Sequence, residues 1–278
     1  MSVDLHVHST ASDGVLTPEA LVDDAARLGL RAIALADHDS VEGVAAALEA
    51  GGKQGLLVVP AVELTATAED GRDMHILGYR IDHRDRRLLD RLVQLREWRR
   101  KRALSMIQAL REGGYHLDPE AVMRLAGEGS VGRAHIARAL EESGEVSSAG
   151  EAFRELIGHG RPFYIAKPGT LPEDIISLVR SACGIPVLAH PGISRVDDLL
   201  GRLAAAGLQG IEVWHSEHSA ADTKRYAEIA RRRGLVATGG SDFHGPRASG
   251  GGKQLGAVDV PDSVVTELYE LERGPACR

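Results

Sequence analysis

Short apolar runs alternate with amphipathic stretches through the first eighty residues. Positions 3–8 (VDLHVH) read as a strand, and TPEALVDDAARLG reads as a helix with Thr17 as cap, Pro18 in its first turn and Gly29 as its stop. RAIALA (31–36) is a second strand, followed by a helix capped by Ser40. LLVVPAVEL is a buried strand ending at Glu63, and DMHILGYRI is a fourth, reached through the turn-like AEDGRD. The last third resumes the alternation with IPVLAH, a helix around 195–206, GIEVWH, a helix around 219–233, and LVATGGSDFHG. Successive units of this kind predict a mainly parallel sheet, open or closed. Between about 85 and 160 the period is helical throughout, with a long helix over LLDRLVQLREWRRKRALSMIQALREGG and shorter ones around HIARALEES and AFRELIG. The pattern predicts one α/β unit, residues 1–99 with 166–278, interrupted by a helical insertion over 100–165.

Composition narrows the functional classes. A chain of 278 residues with 43% hydrophobic and 26% charged residues is ordinary for a globular protein with a sizeable core. Aromatic content of 4% leaves no platform for stacking successive bases, and a net charge of −7 argues against stable duplex binding. The basic run REWRRKR is expected to be a solvated helix face, and the Gly-rich ASGGGKQLG a mobile loop. Two cysteines, Cys183 and Cys277, suggest neither a disulfide framework nor a zinc ribbon. With no leader-like or membrane-spanning apolar run, the expected location is the cytoplasm.

Chemistry collects at the strand ends. In DLHVHSTASDG, His6 and His8 share one face of a strand, opposite Leu5 and Val7, with Asp13 just beyond. His38 follows the second strand, Glu63 closes the third, His75 lies in the fourth, His190 ends IPVLAH, and Asp242 and His244 follow LVATGG. Any one of these is as well explained by a polar group at a strand end. The recurrence carries the inference, because the carboxyl edge of parallel strands is where α/β sites assemble. Six imidazoles and three carboxylates without a thiolate suit manganese, zinc or iron. Nine ligands are too many for one ion and suit two or three divalent ions sharing a carboxylate. Three such ions against three carboxylates leave a positive cluster that attracts phosphate rather than a neutral amide.

Taken in order, DLHVHSTASDG, ADHDS, VELTA, MHILGY, AHPG and GGSDFHG resemble the PHP (polymerase and histidinol phosphatase) family. The resemblance implies a distorted (β/α)7 barrel, amidohydrolase-like, with a trinuclear metal centre at its mouth. It implies that His6, His8, Glu63 and Asp242 hold one ion, that Glu63 bridges to a second held by His75 and His190, and that Asp13, His38 and His244 hold a third. The helical segment resembles a branch of phosphatases acting on nucleoside 3′,5′-bisphosphates and on 5′ ends of short oligonucleotides. Histidinol-phosphate phosphatase, and more remotely a metal-dependent amide or lactone hydrolase, are the alternatives.

The remaining candidates are weighed singly. Arg133 and His135, in VGRAHIAR, open a Gly-led helix, a natural anion site. Lys167, in YIAKPG, stands where the insertion rejoins the barrel, within reach of a phosphate. His215 follows a strand and is expected at the mouth as a substrate contact or proton donor. Asp37 and Asp39 flank His38 and are expected to orient ligands. His83, His116, His159 and His218 are read as surface histidines, and Arg195 and Arg247 are given no role. The expected ligands of the site are small phosphorylated nucleotides or short oligonucleotides, with no membrane association.

Overall fold

The structure is a computed structural model and describes residues 3–127, 129–166, 169–245, 254–273 and 277. Seven strands lie side by side in chain order: β1 (Val3–Val7), β2 (Ala32–Leu35), β3 (Leu57–Thr67), β4 (Asp73–Tyr79), β5 (Ile185–Leu188), β6 (Gly210–His215) and β7 (Val236–Gly240). The His8 amide donates to the Phe243 carbonyl at 2.9 Å and the Asp242 amide to the His6 carbonyl at 2.8 Å. These bonds return the last strand to the first and nearly close a seven-stranded barrel.

Helices cover the outside. They are α1 (Pro18–Arg27), α2 (Val44–Gln54), α3 (Arg86–Glu112), α4 (Pro119–Ala126), α5 (Arg133–Glu142), α6 (Ala149–Glu151) continued by a π-helical stretch (Ala152–Ile157), α7 (Pro172–Ser181), α8 (Pro191–Ser194), α9 (Leu200–Ala205), α10 (Ala220–Arg233) and α11 (Ser263–Glu270). Their ends follow local chemistry. Thr17 Oγ1 accepts the Ala20 amide at 3.2 Å, and Ser219 with Asp222 forms a reciprocal cap for α10. Helix α2 departs from expectation: it starts at Val44 behind Gly43 rather than at Ser40, and no side chain caps it. The expected helix at 195–206 is a 3-10 turn (Asp197–Leu199) followed by α9, with α8 just before it.

The sheet is not uniformly parallel. Strand β4 runs antiparallel to both β3 and β5. The five residues between β3 and β4 are too few for a crossover, so the chain must reverse. There the Ala68 amide donates to the Arg72 carbonyl at 2.9 Å, and Gly71 takes the left-handed φ of 85° that this turn requires. Strand β3 also runs four residues past Glu63. Glu63 is therefore mid-strand, and His75, third in a reversed strand, comes to the mouth.

Alternate residues of the strands, including Ala34, Val59, Leu77, Ile185 and Val187, pack inside the barrel. Val264 and Leu268 of α11 belong to the same cluster, below the barrel. The opposite strand faces pack outward, Ile33, Leu35 and Val58 against α1 and Val62, Leu64 and Ile76 against α3 and α7. A separate cluster joins Ala103, Met106, Ile107 and Leu110 of α3 to Val122, Ile136, Leu140 and Ile157. Helix α3 thus ties two cores together, its first half packing on the barrel through Leu88, Leu92 and Leu95.

Two register slips re-aim side chains. Between Asp4 and Val7 the pairing of β1 with β2 gains one residue, and β6 does the same against β7 between Glu212 and Trp214. Strict alternation put Leu5 with Val7, away from the histidines. Instead Leu5 packs in the barrel interior while Val7 packs outside against Leu21 and Ile33. An extra residue turns the strand over, so Leu5 and His6 both face inward. The same device puts Glu212 and His215, of opposite parity, around one centre.

The two cysteines, which suggested no disulfide framework, do pair. Cys183 and Cys277 are disulfide-bonded, with Cα atoms 5.4 Å apart. The bond ties the C-terminal end to the α7–β5 turn, at the barrel end away from the histidines. Spacing did not announce it because the partners lie 94 residues apart. Most of the Gly-rich loop, and Arg247 with it, lies outside the described residues.

Candidate metal centre

All nine strand-end residues meet at one end of the barrel. Glu63 is at the middle of them. Its Oε1 lies 2.6 Å from His75 Nδ1 and 2.9 Å from His190 Nε2. Its Oε2 lies 3.0 Å from His38 Nδ1 and 3.3 Å from Nε2 of both His6 and His8. Asp242 Oδ1 is 3.1 Å from His8 Nε2, and Asp13 Oδ1 is 3.2 Å from His244 Nε2. Ligand atoms of His6, His8, Glu63 and Asp242 fall within 4.8 Å of one another, as do those of His8, Asp13, His38 and His244, and those of His38, Glu63 and His75.

These approaches are not a finished hydrogen-bond network. His6 Nε2, His8 Nε2, Asp13 Oδ1, His38 Nδ1 and Glu63 Oε2 are buried without a hydrogen-bond partner. Buried polar atoms are rarely left so, because desolvation costs about 1–3 kcal/mol each. Five such atoms converging on one volume fit divalent cations, and the nitrogen–oxygen donor set fits manganese, zinc or iron. Without a cation, the charges settle on protons. Burial pushes His8 down, but the adjacent carboxylates of Asp242 and Glu63 overcome it and hold the ring at about 10. Against burial, His6 is raised by Glu212, Glu63 and Asp242, and His190 by Glu63 first and then Asp242 and Glu212. Burial opposes the charge of Glu63, yet the surrounding imidazoles hold its carboxyl well below the usual range.

A layer of supports fixes the ligands. His6 Nδ1 lies 3.1 Å from Glu212 Oε1, which leaves Nε2 to face the centre, and Glu212 Oε2 accepts the His190 amide at 2.7 Å. Burial opposes the Glu212 charge, but His6 and His215 bring it down to about 2. Asp37 accepts from Ser9 N, Ser9 Oγ and Ser12 Oγ at 2.8, 2.7 and 2.6 Å, pinning the loop that carries Asp13. Asp39 accepts the Thr65 amide at 3.1 Å and pairs with Arg99. Asp39, His190 and Asp242 adopt left-handed φ of 49°, 27° and 54°. Such strain in non-glycine residues is kept where surrounding structure imposes it.

Above the cluster opens a cavity of about 610 Å³. Seven of the nine residues line it, while His6 and His8 lie beneath, fully buried. Arg99, Arg102, Arg133, Arg154 and Phe153 also line it, with Ile193 and Glu217. Arg99 donates to Thr65 Oγ1 at 2.9 Å, and Arg102 Nε to the Ile165 carbonyl at 2.6 Å. Burial and the charge of Arg133 lower Arg102 to about 10, and burial lowers Arg133 also. Partly buried guanidiniums near one another favour an anion between them.

The other candidates divide. Arg133 is on the cavity wall. His135 is not: its Nδ1 accepts the Gly132 amide at 3.0 Å, so it caps α5. His215 departs from its expected place in the open mouth. Its side chain is fully buried, Nδ1 accepts the Glu217 amide at 3.1 Å, and Nε2 lies 3.5 Å from Asp242 Oδ2. Lys167 lies outside the described residues. His116 and His159 are exposed, whereas His83 is partly buried. His218 is also half-buried, donating to the Val213 carbonyl at 2.9 Å and accepting the Gly192 amide at 3.1 Å.

The sequence reading missed Glu212, Arg99 and Arg102. Glu212 had a signal, a charge in the middle of an apolar strand. The arginines had a better one. Leu88, Leu92 and Leu95 precede them, and Met106 and Leu110 follow, at the three-and-four spacing of one helix face. Arg99 and Arg102 occupy that face, so the basic run is not wholly solvated.

Residues 4–156 match the PHP domain family. The chain belongs to the PHP family. It is 36% identical over 279 residues, 98% of this chain and 96% of the relative, to the 3′,5′-nucleoside bisphosphate phosphatase of Chromobacterium violaceum. It is 34% identical over 250 residues, 87% of this chain and 85% of the relative, to the 5′-3′ exoribonuclease Rnm of Escherichia coli. Among solved structures, a protein of Bifidobacterium adolescentis assigned as a metal-dependent phosphoesterase superposes with a TM-score of 0.88 at 32% identity, over 96% of this chain and 95% of that one. An amidohydrolase of Chromobacterium violaceum with bound sulfate and no metal also gives 0.88, at 34% identity and 99% coverage of both. This PHP protein is thus a hydrolase of phosphoric esters with a nearly closed seven-stranded barrel. Among the described residues, no helix is long and apolar enough to cross a membrane.

Proposed function

We propose that the protein is a metal-dependent phosphatase of nucleotides, acting on nucleoside 3′,5′-bisphosphates and on 5′ ends of short oligonucleotides. One observation carries the reading: unpartnered ligand atoms lie at a cavity that partly buried arginines also line. Two or three divalent ions, manganese, zinc or iron, would be held by His6, His8, Glu63 and Asp242, by Glu63, His75 and His190, and by Asp13, His38 and His244. Bound there, such ions supply Lewis acidity and lower the pKa of water. The chain's own residues do the rest. Glu212 and Asp37 hold ligand groups in register. Arg99, Arg102 and Arg133 take the oxygens of a second phosphate and offset its charge, which favours a doubly phosphorylated nucleotide. His215, behind Asp242, orients that carboxylate rather than meeting the leaving group. The relatives named above, a bisphosphate phosphatase and an exoribonuclease, support this substrate class.

Phosphate release from metal-loaded protein tests the reading, over nucleoside mono- and bisphosphates, short 5′-phosphorylated oligonucleotides and histidinol phosphate. Highest kcat/KM is expected with a bisphosphate or an oligonucleotide end. Preference for histidinol phosphate, or turnover confined to amides and lactones, would overturn it.

A further inference from the structure

Arg102 comes from α3 and Arg133 from α5, yet both guanidiniums lie against one ring. Their Cζ atoms are 5.2 and 5.5 Å from the centroid of Tyr164, and Arg133 also lies 5.7 Å from that of Phe153. The Tyr164 hydroxyl donates to Asp73 Oδ2 at 2.8 Å, and Asp73 Oδ1 accepts from Thr67 Oγ1 at 3.0 Å. Asp73 is the first residue of β4. A continuous line thus runs from the barrel wall through a carboxylate and a phenol to two cations on the cavity lining. Two like charges placed together repel. The ring faces and the nearby carboxylate offset that repulsion, and a phenol donating to a carboxylate presents a more electron-rich face. Among the described residues each arginine makes one hydrogen bond, Arg102 Nε to the Ile165 carbonyl and Arg133 Nη1 to the Ile157 carbonyl at 3.4 Å. Arg102 Nη2 is buried without a hydrogen-bond partner. Donor capacity is left over on an arginine that lines the cavity.

We infer that Tyr164, held by Asp73, is a positioning residue that keeps Arg102 and Arg133 as a pair for the non-reacting phosphate, and so sets the preference for substrates with two phosphates. The inference rests on the substrate reading above. Tyr164→Phe keeps the ring and cuts the link to Asp73, whereas Tyr164→Leu removes both. Steady-state kinetics of metal-loaded protein would compare adenosine 3′,5′-bisphosphate with 4-nitrophenyl phosphate. Tyr164→Phe should raise KM for the bisphosphate about 3- to 10-fold with kcat within about two-fold, and Tyr164→Leu about 10- to 30-fold. The aryl phosphate, with no second phosphate, should shift less than about two-fold in kcat/KM. Equal losses on both substrates would make Tyr164 a structural residue and overturn the assignment. A wild-type preference for the bisphosphate that survives both variants would overturn it alone. Wild-type protein without that preference would overturn the substrate reading and the assignment together. If Tyr164→Leu fails to fold, Tyr164→Phe carries the test.

Discussion

Asp4 and Glu63 are both buried carboxylates on barrel strands, and only one belongs to the candidate metal centre. Asp4 accepts from Ser241 N at 2.8 Å, Ser241 Oγ at 2.6 Å and Gly256 N at 2.8 Å, with a weaker contact from His6 N at 3.4 Å. Every donor is neutral and the shell is complete. Burial raises its carboxyl, and those donors only partly offset the rise. Glu63 faces five imidazoles instead, its carboxyl is lowered, and Oε2 keeps no hydrogen-bond partner. Burial and charge do not distinguish a functional carboxylate from a structural one. Unfilled bonding capacity does. Asp4 staples β1 to the segments carrying Ser241 and Gly256, while Glu63 keeps an unfilled acceptor among the imidazoles.

The comparison is most exposed to substitution at its centre. Glu63→Gln removes a charge where two cations would come closest, and should lower kcat/KM on the order of 100-fold or more, with loss of bound metal. Asp39→Asn, which leaves Glu63 in place, should cost less. Metal analysis beside kinetics reads both, and equal losses would show that Glu63 does not bridge. Asp4→Asn should act on stability instead. It puts an amide against donors already committed to a carboxylate, at a cost of about 1–3 kcal/mol in denaturant unfolding. Metal content per folded chain should hold, and a variant that melts normally but loses metal would erase the distinction.

On the cavity lining, Arg133→Ala should weaken turnover of a 3′,5′-bisphosphate about 10- to 100-fold, the value of a charge-assisted contact of about 1.5–3 kcal/mol. Turnover of an aryl monophosphate should fall far less. A common factor on both would assign Arg133 to the reacting phosphate or the fold. The smallest effect is in protons. His8 titrates at about 10 without a cation, so at pH 7 it is imidazolium and must lose its proton to become a ligand. Metal uptake should therefore release protons and tighten as pH rises toward 10. Calorimetric titration in buffers of different ionisation heat measures the release. Heats independent of buffer would show the ring already neutral.

Much of this centre was legible along the chain because each ligand stands beside a recognisable strand. His6, His8, His38, His190, Asp242 and His244 all follow or end apolar runs with period two, and the strand–helix alternation places such ends together. Glu63 and His75 were found by type but not by setting, since reversal of β4 depends on a five-residue turn too short for a crossover. Arg99 and Arg102 were lost in a basic run because helix periodicity reports a face, and what lies opposite that face is not local information.

What the sequence determined by itself was therefore the inventory: which residues stand at which ends, and that nitrogen and oxygen ligands without thiolates recur there. Only the tertiary structure decided which of them share a volume. A one-residue slip in β1 turned Leu5 inward with His6, and another in β6 put Glu212 and His215 around the same centre. Such slips answer to the curvature of a barrel that must close, and no strand carries that constraint alone. The pairing of Cys183 with Cys277 and the stacking of two arginines on Tyr164 have the same origin. Each joins segments far apart in the chain, and distance in space between such segments is settled by packing rather than by pattern.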